Sequence, residues 1–125
     1  MFRIEKIGDN HFLIKVLGTF PPSVAEKFLK EFGQKIEKLN QIFVIIDGAD
    51  FILLNLESFE IILNFLKGAN EKLERSAWIV SKNPLLDKEI QILLNRAESP
   101  KRKIVKTLEE AKKWIGIETI IIEKQ

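Results

Sequence analysis

Ile42-Phe43-Val44-Ile45-Ile46-Asp47-Gly48-Ala49-Asp50-Phe51-Ile52-Leu53-Leu54-Asn55 is the stretch that decides how this chain is read. Its first five residues form an unbroken apolar run rich in β-branched side chains, the composition of a parallel strand covered on both faces. Asp47, Gly48 and Asp50 then supply loop chemistry. Asn55 has the side chain of an N-cap, and the helix it starts is expected to carry Leu56, Phe59, Ile62, Leu63 and Leu66 inward until Gly68-Ala69-Asn70. Between the two lies Phe51-Ile52-Leu53-Leu54, an apolar run where a loop should meet solvent. These side chains either plug the core under the helix or form a contact patch.

Working outward, Phe2, Ile4 and Ile7 lie near one face of a short strand. Gly8-Asp9-Asn10 turns the chain into a second arm, Phe12 to Leu17, which Gly18 to Pro22 stops. Ser23-Val24-Ala25-Glu26 has capping-box spacing and opens a helix with apolar residues at steps of three and four, ending at Asn40. After the central segment, Ala77 to Val80 reads as a strand. Asn83-Pro84 is an N-cap with proline at the first helical position, opening a helix with Leu86, Ile90, Leu93 and Leu94 inward. Lys103 to Lys106 is a brief strand, and Thr107-Leu108-Glu109-Glu110 is a second capping box, before a helix containing Ala111, Trp114 and Ile115. Trp78 and Trp114 are both expected in the core.

The predicted order is β-β-α-β-α-β-α-β-α in one domain over residues 1–116, an α/β fold with a mostly parallel mixed sheet flanked by helices. Residues 117–125 form a tail. Its Ile117-Glu118-Thr119-Ile120-Ile121-Ile122 is strongly β-prone, and is expected to add an edge strand or to pair with a second copy as a homodimer.

Bulk composition narrows the function. The 125 residues are 46% apolar and 30% charged, as in a globular domain. A net charge of +2 lacks the concentrated basic excess of a nucleic-acid binder. Without cysteine there is no disulfide, thiolate cluster or cysteine nucleophile. The N-terminus alternates apolar and charged residues, and no apolar run nears the ~18 residues of a membrane span, so a cytoplasmic protein is expected. No GxGxxG, Walker-type or nucleophile-elbow motif occurs, and His11, the only histidine, is read as a surface residue of the hairpin. Asp47 and Asp50 follow the central strand, where open α/β sheets bind ligands. Their carboxylates either hold Mg²⁺ or hydrogen-bond their own backbone, as aspartates in tight loops do.

The leading hairpin followed by alternating helix and strand resembles the STAS domain, the fold of the SpoIIAA anti-sigma-factor antagonists. Phe43-Val44-Ile45-Ile46-Asp47-Gly48-Ala49-Asp50-Phe51-Ile52 looks like the strand, loop and Asp-Phe pattern that precedes that family's regulatory helix. Val105 to Ile115, with its Glu109-Glu110-Ala111 and its Trp114-Ile115 ending, is similar to the closing strand and helix of the SpoIIAA-like branch of bacterial proteins. The resemblance implies a non-enzymatic regulatory module without cofactor or metal, whose partner is an anti-sigma-factor-like kinase or another regulator. It places the docking surface at Asp47, Gly48, Asp50, Phe51, Leu53, Leu54, Asn55 and Ser58. In the antagonists a serine at the start of the second helix is phosphorylated. Asn55 stands there in this chain and cannot accept a phosphoryl group, while Ser58, one turn later, is the alternative acceptor. The SpoIIAA-like branch also resembles the lipid-binding CRAL-TRIO fold, which implies an apolar small-molecule or lipid carrier as the second reading.

Overall fold

The computed structural model describes residues 2–53, 55–80, 84–98 and 100–117, apart from the side chains of Asp50, Ile52 and Leu53. Along the chain these form β1 (Phe2–Lys6), β2 (His11–Thr19), α1 (Pro22–Ile36), β3 (Ile42–Leu53), α2 (Leu56–Ala69), β4 (Leu73–Val80), α3 (Pro84–Arg96), β5 (Arg102–Val105) and α4 (Leu108–Ile115). The strands make one sheet in the order β1-β2-β3-β4-β5, with β1 antiparallel to β2 and every later pair parallel.

That order fixes the layers. Each parallel strand sits beside its predecessor, so right-handed crossovers that advance in one direction must put α1, α2 and α3 on the same face. The buried side chains agree. Phe28 and Phe32 of α1, Leu63 and Leu66 of α2 and Leu93 of α3 share one core with Phe12, Ile14, Val44 and Trp78. Ala111 and Ile115 of α4 pack on the other face against Ile45, Ala77, Ile79 and Val105. Successive strand residues therefore serve opposite cores, which is why Ile42–Ile46 of β3 and Ala77–Val80 of β4 are unbroken apolar runs.

Three boundaries differ from the sequence expectation. First, β3 does not give way to a loop at Asp47 but continues to Leu53. After shifts in register it pairs with an extended β2, placing Leu17 opposite Asp50, Gly18 opposite Phe51 and Thr19 opposite Leu53. Gly18 has φ +67°, so the residue read as a terminator is an irregularity that lets the strand run on. Second, the Ser23–Glu26 capping box does not form. Pro21 is the N-cap without a side-chain hydrogen bond and Pro22 is the first helical residue, its fixed φ already suited to that place. α1 also stops at Ile36, where the Lys72 ammonium donates to the carbonyls of Ile36 and Glu37 at 3.0 and 3.1 Å. Third, β4 begins at Leu73, four residues before Ala77.

The other caps behave as local chemistry requires. Asn55 Oδ1 accepts the Ser58 N–H at 2.8 Å, and Thr107 Oγ1 accepts the Glu110 N–H at 3.2 Å. Glu110 reaches back to the N–H of Lys106. Gly116 ends α4 in the left-handed conformation that favours glycine. Asn83, the expected cap of α3, and residues 118–122 of the tail lie outside the described residues. Trp78 is buried as expected. Trp114 is only half-buried: its Nε1 donates to Ser76 O at 3.0 Å, and Arg75 and Lys103 lie over its ring. His11 is likewise half-buried rather than a turn-surface residue, stacked on Phe43 with ring centroids 4.6 Å apart, and burial pushes its pKa below the usual imidazole value.

Candidate functional site

The residues singled out at the end of β3 divide by role. Asp47 Oδ1 accepts the N–H of Ala49 at 3.1 Å, the self-satisfying arrangement of an aspartate beside a bend. Gly48 is buried opposite Val80, and a Cβ there would sit 3.1 Å from the carbonyl oxygen of Ile79. Phe51 is a core residue, its ring 6.2 Å from that of Phe20 at a steep angle. The backbones of Asp50 and Leu53 belong to the β2–β3 ladder, and Leu54 lies outside the described residues. The strand order of the described sheet never reverses, so it offers no switch point, and of these residues Gly48 and Phe51 line a cavity beneath the helices. Among the described residues no group of three or more His, Asp or Glu side chains is placed to hold a metal.

At α2 the structure exchanges two expectations. Ser58 is fully buried, 0% exposed, and its Oγ has no hydrogen-bond partner among the described residues. Leu56, expected inward, is 78% exposed. It lies seven residues before buried Leu63 and so on nearly the same azimuth, but a helical side chain tilts toward the N-terminus, and in the first turn that direction leads past the core. A buried hydroxyl without a partner loses its hydration and gains nothing in return. Ser58→Ala is therefore expected to stabilise the fold by about 1 kcal/mol; a melting temperature below that of the wild type would show that the hydroxyl is bonded in solution.

Leu85, in the first turn of α3, is 70% exposed, and Leu108 opens α4. Because β3, β4 and β5 are parallel, the helices that follow them all begin at the same end of the sheet. Leu56, Leu85 and Leu108 are thus displayed at that end. Helical periodicity alone did not reveal them; the signal lies in apolar residues directly after a cap, where the core no longer covers the helix.

The second feature is a cavity of about 90 Å³ between the sheet and the layer of α1, α2 and α3, walled by Phe28, Phe65, Trp78, Ile90 and Leu93 among others. Two polar residues also line it, Ser76 and Arg102. The Arg102 guanidinium donates to Asn70 Oδ1 and, at 2.9 Å, to the Leu66 carbonyl near the end of α2. Burial lowers its pKa to about 10. Ser76 Oγ accepts the indole N–H of Trp78 at 3.0 Å.

No protein-family model matches the chain, and no curated protein matches it by sequence. Solved structures do. A protein of the DUF3478 family with a SpoIIAA-like fold from Shewanella loihica PV-4 superposes with a TM-score of 0.71 at 17% identity, over 92% of each chain. An anti-sigma factor antagonist from Mycobacterium paratuberculosis gives 0.66 at 14% identity, over 93% of this chain and 95% of that one. The anti-sigma factor antagonist SpoIIAA in its unphosphorylated form gives 0.63 at 13% identity, over 88% and 92%. The chain has the SpoIIAA-like fold of STAS domains, as its sequence resemblance implies.

Proposed function

We propose that this chain is a non-enzymatic regulatory module of the bacterial cytoplasm, which docks a protein partner over the end of the sheet where α2 and α3 begin. The observation that carries the reading is Leu56, a large apolar side chain held almost fully in solvent at the start of a well-capped helix, with exposed Leu85 opening the neighbouring helix. Exposed apolar side chains in a first turn add nothing to folding, and they suit a surface that desolvates against a partner. With an amide at Asn55 and a buried hydroxyl at Ser58, docking runs without the phosphoryl switch of the antagonists. The partner is a regulator of the anti-sigma-factor kind.

Leu56→Asp and Leu85→Glu test this cleanly. A carboxylate in the first helical turn meets the positive end of the helix dipole, so folding is expected to be unaffected. Partners recovered by the wild type and identified by mass spectrometry are expected to fall about tenfold or more with either variant. Equal recovery at an unchanged melting temperature removes this surface from the account.

The cavity favours a second reading, in which the module binds a small apolar molecule. At about 90 Å³ it is far below the ~300 Å³ and upward of drug-sized pockets, so its occupant is small rather than a whole lipid. Native mass spectrometry after gentle purification is expected to show a low-mass adduct, and a ligand-free spectrum counts against it.

A further inference from the structure

We infer that the cavity under α1, α2 and α3 receives a small uncharged hydrocarbon of about four carbons, a ligand class with no hydrogen-bonding group; this rests on the second reading above and narrows it. The walls decide the chemistry. Apart from Ser76, Arg102 and the Trp78 indole, no lining side chain carries a polar atom. Those three groups are turned to protein partners, the guanidinium to Asn70 Oδ1 and the Leu66 carbonyl, the indole N–H to Ser76 Oγ. The surface left toward the cavity is almost wholly hydrocarbon.

Rigid neighbours hold this space open. Native interiors leave few voids larger than a water molecule, and here the rings that wall the cavity brace one another. Phe28 stands 5.9 Å from Phe20 and 6.3 Å from Phe65, and Phe65 stands 6.0 Å from Phe32, all at steep angles. A ring that swung into the cavity would give up these edge-to-face contacts. Water is a poor occupant, because a buried water needs roughly two to four polar partners and such walls do not supply them. A hydrocarbon restores dispersion contacts on every side. Ile46, Phe65 and Val80 line the cavity and are only half-buried, so it reaches the surface layer, and a ligand enters past side chains without unfolding the sheet.

An oxygen or nitrogen on the ligand would enter this space stripped of its water and would gain no partner in return. A charged group would lose far more. Size sets the rest. An engineered apolar cavity of about 150 Å³ takes benzene, and about 90 Å³ accordingly suits a body of roughly four carbons.

Isobutene and acetone, near-isosteres in which a carbonyl oxygen replaces a methylene, provide the test. Each is titrated in solution into the chain and followed by NMR at the indole N–H of Trp78, which lines the cavity, with that of Trp114 on the other face as the internal control. Isobutene is expected to shift the Trp78 signal saturably, to leave that of Trp114 in place, and to bind at least about tenfold more tightly than acetone. Leu93, fully buried in the cavity wall, supplies the variant: Leu93→Phe fills the space and is expected to abolish the shift. Should that variant fail to fold, the comparison of isobutene with acetone on the wild type stands alone. Equal affinities for the two would overturn the exclusion of polar groups while sparing the second reading. Absence of binding by both compounds would overturn the two together.

Discussion

Phe28→Ala is expected to destabilise the fold by about 4 kcal/mol and to lower its melting temperature by about 15 °C. Phe28 joins parts of the molecule that local interactions leave separate. Its ring lies 5.3 Å from Phe2 of β1, 5.9 Å from Phe20 between β2 and α1, 5.6 Å from Phe32 on its own helix and 6.3 Å from Phe65 of α2. Several of these pairs are edge-to-face, an arrangement worth about 0.5–1.5 kcal/mol beyond area burial. The ring also lines the existing cavity, so its loss enlarges a void instead of opening one that neighbours can close. A chain of this length has a total stability on the order of 6–19 kcal/mol, so this one substitution removes a large share. Urea denaturation followed by circular dichroism measures it, and a loss below about 1.5 kcal/mol would mean that the other rings close over the gap.

Gly48→Val is expected to cost about 3 kcal/mol, with Gly48→Ala costing less but in the same direction. The sign is the informative part. Replacing glycine by valine within a strand ordinarily stabilises it, by up to about 1 kcal/mol on the propensity scale. Here the added Cβ would stand 3.1 Å from the Ile79 carbonyl oxygen, which is backbone and cannot rotate aside. β3 is hydrogen-bonded on both sides near this point, so relief requires moving two strands. A valine variant as stable as the wild type would show that β3 and β4 can separate there, and would reopen the end of β3 as a yielding region.

The two predictions concern residues of very different legibility. Phe28 announces itself, since it falls on the apolar stripe of α1 at a spacing that any reading of the helix detects. Gly48 does not, because a glycine between two aspartates has the composition of a loop. Its actual constraint is a carbonyl from a strand some thirty residues later in the chain. The same holds for the stretch from Asp47 to Leu53. Its apolar run looks anomalous for a loop, but as far as Leu53 its backbone belongs to the strand, and Phe51 is buried against Phe20.

The candidate site shows a similar division. Asn55 as a cap and Asp47 as a self-bonding aspartate are readable because each needs only two or three residues on either side. The exposure of Leu56 and the burial of Ser58 depend on where the first turn of α2 meets the limit of the core, which periodicity does not encode. Arg102 is less readable still. Within Lys101-Arg102-Lys103 it looks like one more solvated cation, yet the alternation of β5 turns it beneath the helix layer while Lys103 lies over Trp114 on the other face.

Local chemistry, acting over a few residues, suffices to establish the kind and order of the elements, the phase of each helix and two of its caps, and thereby the SpoIIAA-like architecture. Strand extension through a bulge, the shared face of three helices, the exposed leucines at their starts and the cavity with its buried guanidinium arise from contacts between segments distant along the chain. Such contacts depend on register and on where layers end, and neither is a property of any short stretch of residues.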